Sequence, residues 1–301
     1  MKTLPTLRQF RHLVALAEHR HFGRAATACH VTQSTLSASL KELEDTLGAA
    51  LVDRTKRSVV FTPVGEETVR RAQQILDEAE DLTRTAQSAS EPLAGTIRMG
   101  VIPTIAPFLL PRVLAALRAK YPKLKLYLRE DLTERLVERL QAGELDVVLL
   151  ALPHELGTIE SEALFDDPFS FCCRTDHALA NAPEVPRSRL AQENLLLLQD
   201  GHCLRQHALA ACGLRRQMQV DPFEATSLST LAQMVDNGLG VTLMPQLALD
   251  AGLLAGTSLT AIPLEDKAVA RRIGLAWRAR TGRREEFRLL GREIKRLAER
   301  G

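Results

Sequence analysis

A chain of 301 residues is long enough for about two or three domains, each with its own core. Hydrophobic residues make up 45% and charged residues 25%, an ordinary globular balance that excludes a disordered chain. Net charge is only +2, but residues 1–62 hold nine Lys or Arg against five Asp or Glu, and residues 63–91 hold three against seven. A basic first segment followed by an acidic one points to a polyanion as partner of the N-terminal part. No apolar signal core opens the chain, because Arg8, Arg11, His12 and Glu18 interrupt it. The longest apolar block, VVLLAL at 147–152, is the size of a core strand. The expectation is a soluble, cytoplasmic protein with no membrane partner.

In chain order, Leu7, Phe10, Leu13, Val14 and Ala17 share one helical face, and Phe22, Ala25, Ala26 and Cys29 repeat at helical spacing in a second, short helix. After a turn at His30 and Val31, Thr32 is the N-cap of a third helix. Its inner face is Leu36, Leu40, Leu43 and Leu47, and Gly48 is its stop. The opposite face, Gln33, Ser34, Ser37 and Lys41 beside Thr32, suits either a recognition helix in a DNA groove or the solvated side of any small helical domain. The segment LVDRTKRSVVFT at 51–62 favours DNA: it reads as a hairpin whose tip carries Arg54, Lys56 and Arg57, a basic wing aimed at phosphates. The whole stretch FGRAATACHVTQSTLSASLKELEDTLGAALVDRTKRSVVFTPVG resembles the winged helix-turn-helix of LysR-type transcriptional regulators.

Pro63 suits the start of a further helix. In it Val69, Ala72, Leu76, Ala79 and Ala86 form a heptad-like seam, with Ile75 and Leu82 at its edge. The seam could pack on its own domain or on a second chain. SASEPLAG at 88–95 then reads as a hinge. In the family it resembles, this segment is a linker helix that pairs two DNA-binding heads.

Beyond it, strands are predicted at 96–102, 124–128 and 145–151, with helices at 111–120 and 132–141, an order that predicts a mostly parallel sheet. A second set has strands at 169–173, 195–199 and 240–245 and a helix at 227–237. A last strand at 272–278 precedes a C-terminal helix that returns to the first set. The fold class is therefore α/β: an N-terminal winged helix-turn-helix (1–62), a linker helix (63–91) and an effector domain (92–301) of two α/β subdomains. Subdomain I spans about 92–164 and 267–301, and subdomain II about 165–266. This last domain resembles the periplasmic-binding-like effector domain of LysR-type regulators, most of all in ATSLSTLAQMVDNGLGVTLMP at 225–245. A cleft between subdomains suits a small ligand. No Walker lysine motif, GxSxG, HExxH or paired CxxC occurs, so no enzyme, cofactor or metal is expected.

Five cysteines without a secretory leader suggest reduced thiols, of which Cys29, Cys172 and Cys173 have a structural look. Cys203 and Cys212, in DGHCLRQHALAACG at 200–213, admit three readings: two small apolar side chains, a metal site with His202 and His207, or a redox pair. The stretches LVALAEHRHFGRAA, GVIPTIAPFLLP, DGHCLRQHALAAC and FEATSLSTL resemble the hydrogen-peroxide-sensing members of the LysR family. That resemblance implies Cys203 as the peroxidatic, redox-sensing thiol and Cys212 as the resolving one. It also implies a peroxide pocket of Thr104, Thr133, His202 and Arg271, with Arg272 the alternative if the register slips. His202, Arg205 and a helix starting near Gly201 would favour the thiolate. If 203–212 is helical, the two Cα atoms lie about 13 Å apart, beyond the roughly 4.4–6.8 Å of a disulfide, so bonding would force a rearrangement. Gln206, where an acidic residue is expected, and GLRRQMQ at 213–219 depart from the pattern. The implied partners are double-stranded promoter DNA, RNA polymerase, hydrogen peroxide as signal and further copies of the chain, a dimer of dimers. The alternatives are a LysR-type regulator answering a small organic effector, and a thiol peroxidase or solute-binding protein.

Overall fold

The computed structural model describes residues 4–54, 59–88, 92–152, 159–211, 225–265 and 269–299. Lys56, Arg57, Cys212 and the stretch at 213–219 lie outside them, as does the side chain of Arg54. The chain divides into two compact units, Met1–Ser90 and Glu91–Gly301.

The first unit opens with α1 (Leu7–His19), capped by Thr6 and Gln9 in a reciprocal box, and α2 (Phe22–Ala28), whose Gly23 and Arg24 amides donate to His21 Nδ1. In α3 (Gln33–Leu47) Thr32 accepts from the Thr35 amide, and Gly48 closes the helix in the left-handed region, as its position predicted. Strands β1 (Val52–Arg54) and β2 (Val59–Phe61) pair antiparallel, and α4 (Pro63–Ser88) follows. Phe10, Leu13, Leu16, Ala25, Leu36, Leu40, Leu43, Leu51 and Phe61 form the core.

Two expectations for this unit need correction. Leu7 is exposed, while Gln9, His12 and Leu16 are buried, because α2, α3 and α4 all pack on α1 and widen its covered face. His12 satisfies its ring through Nδ1 and Ser39 Oγ on α3, 2.8 Å apart. Leu47, at the end of α3, lies beyond the core and is exposed. The N-terminal half of the α4 seam packs on its own head: Ala72 is fully buried there and Val69 and Leu76 lie against the same core. Heptad spacing reports an apolar face and not which chain covers it.

The second unit runs β3 (Gly95–Val101), α5 (Ala106–Lys120), β4 (Leu124–Glu130), α6 (Thr133–Gln141), β5 (Val147–Leu152), β6 (Ile159–Arg174), α7 (Arg187–Leu190), α8 (Cys203–Ala211), α9 (Leu228–Asp236), β7 (Thr242–Pro245), α10 (Gln246–Asp250), β8 (Leu259–Pro263), β9 (Ala270–Arg278) and α11 (Arg284–Ala298). The sheet order is β4-β3-β5-β9-β6-β7, with β8 also on β6. β3–β4 and β3–β5 are parallel, as the βαβαβ order of that first set predicts, whereas every other strand-to-strand pairing among the described residues is antiparallel. The cause is the 16-residue β6, which runs against β9 over 159–168 and then passes between β7 and β8. These two long strands link two cores. One holds Ile97, Met99, Leu136, Leu149, Leu275, Phe287 and Leu290; the other holds Phe171, Cys172, Leu190, Leu196, Val235, Leu243 and Ile262. Helix α11 belongs to the first core, as expected.

Two boundaries also differ. Helix α5 begins at Ala106 rather than 111, and Pro111 sits inside it, where a proline has no amide to donate to the preceding turn. The apolar run 195–199 makes isolated bridges, Leu195 to Val241 and Leu198 to Ala225, instead of a strand. Its leucines are buried all the same.

Candidate functional site

Three segments of the second unit converge on one small open cleft. Ile102, Pro103 and Thr104 follow β3, Leu132 and Thr133 follow β4, and Gly201, His202 and Cys203 lead into α8. β3 and β4 are parallel neighbours, and the ends of parallel strands are where an α/β sheet leaves room for ligands. Gly201 has φ +98°, and a Cβ there would stand 3.2 Å from Leu132 Cδ1, so a side chain would strain the turn that delivers His202 and Cys203. Cys203 is the first residue of α8, where unpaired amides and the helix dipole favour an anion. It is partly buried against the first core and carries a free thiol.

The surroundings of the sulfur differ from expectation in one respect. His202 is buried, and burial lowers its imidazole pKa, so at neutral pH it is an uncharged hydrogen-bonding group. Arg205 turns from the cleft to Asp200 (Nε to Oδ1 3.2 Å) and the Leu198 carbonyl (3.0 Å). Neither residue brings an uncompensated cation to Cys203. Gln206 is exposed on α8.

Both threonines are buried at the cleft, with different partners. Thr133 Oγ1 makes no hydrogen bond with the described residues. Thr104 Oγ1 accepts from Arg271 Nη1 at 2.6 Å, and the Thr104 carbonyl accepts from Nη2 at 2.9 Å. Arg271 therefore stands behind Thr104 and does not line the cleft. It is buried, whereas Arg272 is exposed and pairs with Asp166. The guanidinium is neutralised by Asp167, whose Oδ2 lies 2.9 Å from Nε and 2.8 Å from Nη2. Asp167 Oδ1 accepts from the Leu247 amide at 2.9 Å. Sequence reasoning missed Asp167; the only signal was a DDP ahead of β-forming residues, and its pairing depends on the β6–β9 register that sets it opposite Arg271.

The other described cysteines are poor nucleophiles. Burial pushes Cys172 up to about 12 and Cys173 up to about 11, and it also raises Cys29 in the head. Cys172 and Cys173 are both fully enclosed in the second core.

In the first unit, Gln33, Ser34 and Lys41 are exposed on α3 and Ser37 is half-buried. Thr32 spends its hydroxyl on the helix, holding the Thr35 amide at 3.2 Å and meeting the Ser34 and Thr35 hydroxyls. The carboxylate of Glu44 accepts from the Leu51 and Val52 amides at 2.8 and 3.2 Å, fixing the hairpin to α3.

Residues 7–66 match the bacterial regulatory helix-turn-helix protein family of lysR type, and residues 90–299 match the LysR substrate binding domain. The chain is 44% identical over 243 residues to the DNA-binding transcriptional dual regulator OxyR of Escherichia coli, covering 81% of this chain and 80% of that one. Among solved structures it is similar to full-length OxyR from Pseudomonas aeruginosa, a cysteine-to-aspartate variant, with TM-score 0.81, 35% identity and 97% and 95% of the two chains covered. It is also similar to a hydrogen-peroxide-bound cysteine-to-serine variant of Corynebacterium glutamicum OxyR, with TM-score 0.70, 35% identity and 100% and 94% covered. With both halves matched and the likeness running through head and sensor alike, this chain belongs to the LysR family of transcriptional regulators, among its OxyR-like members.

Proposed function

We propose that this regulator senses hydrogen peroxide through Cys203, with Cys212 as the resolving thiol, and passes the change to promoter DNA. One observation carries the reading: a free thiol at a helix N-terminus opens into a small cleft with two buried threonine hydroxyls. In the reaction the Cys203 thiolate attacks one peroxide oxygen. An S–O bond forms, the O–O bond breaks with its electron pair on the departing oxygen, and that oxygen takes a proton to leave as water. Sulfur is oxidised by two electrons to a sulfenic acid. The Cys212 thiol then displaces hydroxide, which leaves as a second water, and a disulfide remains. The similarity to a structure described as hydrogen-peroxide-bound supports the same ligand here.

Geometry argues that the disulfide acts as a switch. Cys203 to Ala211 is eight helical steps, about 12 Å, and one more residue reaches only about 3.8 Å, so bonding to Cys212 requires part of α8 to unwind. In this reading residues 1–62 bind DNA, with Gln33, Ser34, Ser37, Lys41, Arg54, Lys56 and Arg57 contacting the duplex. Residues 63–91 pair two heads, and residues 92–301 sense. RNA polymerase and a dimer of dimers belong to the same reading.

The test is thiol mapping of the full chain by mass spectrometry after near-stoichiometric peroxide. A Cys203–Cys212 link is the expected product, absent in Cys203→Ser. A Cys203 that stays reduced, or a link formed elsewhere, overturns the mechanism.

A further inference from the structure

We propose that Asp167 is a positioning residue for the peroxide reaction: through Arg271 it aims the Thr104 hydroxyl proton into the cleft. The proposal rests on the peroxide-sensing reading above and gives Arg271 a task behind the pocket instead of in it.

A threonine hydroxyl has one proton and two lone pairs, and a guanidinium can only donate. When Arg271 Nη1 donates to Thr104 Oγ1 at 2.6 Å, it occupies a lone pair and leaves the hydroxyl proton free to point elsewhere. The adjoining open space is the cleft that Thr104 lines with Thr133 and Cys203. The guanidinium cannot rotate out of this role. Nη2 is fixed on the Thr104 carbonyl at 2.9 Å, and Nε and Nη2 are fixed on Asp167 Oδ2 at 2.9 and 2.8 Å. Asp167 is in turn held by the Leu247 amide at 2.9 Å. The pair is fully enclosed, so it acts by geometry more than by net charge: the carboxylate cancels the cation that would otherwise draw on the thiolate.

A donor fixed in this way is worth most to the species in which negative charge develops. Here that is the peroxide oxygen that takes the electron pair as the O–O bond breaks. Thr104 is thus the group that touches peroxide, and Asp167 and Arg271 act through it. Their loss slows attack on peroxide without slowing a reagent that needs only the thiolate.

The experiment compares second-order rates of Cys203 in the full chain with hydrogen peroxide and with iodoacetamide, an alkylating agent that needs no aimed proton. Asp167→Asn keeps the acceptor for Leu247 and removes the charge that orients Arg271. The peroxide rate is expected to fall at least about tenfold while alkylation stays within about threefold. Arg271→Lys keeps the cation and loses the planar fork, and it is expected to show the same selective loss even if Asp167→Asn proves too unstable to assay. Adding Thr104→Val to either variant is expected to slow the peroxide reaction little further, because the three residues act as one unit. Equal loss with both reagents, a full peroxide rate in either single variant, or a multiplicative effect of Thr104→Val overturns the proposal. A wild-type Cys203 that alkylates normally but ignores peroxide overturns the sensing reading and this proposal with it. A reactive wild type with unaffected variants overturns this proposal alone.

Discussion

Thr133 shows at the scale of one residue how the proposed peroxide site would trade stability for readiness. Its hydroxyl is buried at the cleft and unpaired within the described chain, a condition that costs about 1–3 kcal/mol relative to a paired or solvated group. Valine has nearly the same shape without the hydroxyl. Thr133→Val is therefore expected to raise the stability of the reduced protein by about 1 kcal/mol in denaturant titration, while the peroxide rate of Cys203 falls about tenfold or more. A variant that loses stability, or that reacts at the wild-type rate, would show that the hydroxyl serves the fold instead. The cysteines divide by the same physics. Burial that raises Cys172 and Cys173 to about 12 and about 11 keeps them protonated and inert, whereas Cys203 sits at an accessible helix start.

At the scale of elements, a single carboxylate decides where the wing stands. Glu44, near the end of α3, accepts from two successive amides of the incoming hairpin, at buried Leu51 and Val52. Glu44→Ala leaves both donors without that acceptor and is expected to cost about 2 kcal/mol in thermal or denaturant unfolding. Affinity for duplex DNA should fall as well, since the hairpin loses its fixed angle to the recognition helix; Glu44→Gln, which retains an acceptor, is expected to recover most of both. Unchanged DNA affinity in a folded Glu44→Ala chain would mean that the wing is held by its apolar contacts alone. Such local devices explain how much of the fold could be read in advance. Thr32 and Gly48 announce the ends of α3 because capping is a matter of a few adjacent residues. Thr104, Thr133, His202 and Cys203 were legible through family likeness, and the structure gathers them at one cleft. What could not be read depends on partners distant in sequence. The Asp167–Arg271 pair joins residues that only the β6–β9 register brings together, and the antiparallel majority of the sheet follows from those same two crossing strands.

At the scale of the whole molecule, the proposed sensing reaches DNA through coupled heads, and α4 has exposed apolar surface that suits the coupling. Its first turns are occupied, with Ala72 buried and Val69 and Leu76 packed on their own head. Ile75 and Leu82, seven residues apart on one stripe, stay 39% and 73% exposed, which is the spacing of a two-helix seam. In the proposed dimer each head binds one half-site, and linking them turns the second contact into an intramolecular step worth about 10²–10⁴ in affinity. Leu82→Asp places a charge in that seam and touches no core of its own chain. Binding to a duplex with two half-sites is then expected to weaken at least about a hundredfold in a fluorescence titration, while binding to a single half-site changes little. Oxidation of Cys203 by peroxide should proceed at the wild-type rate, because the sensor unit keeps its cleft. A Leu82→Asp chain that still holds paired half-sites tightly would move the coupling of the heads away from α4, and the remaining place for it would be the sensor unit itself.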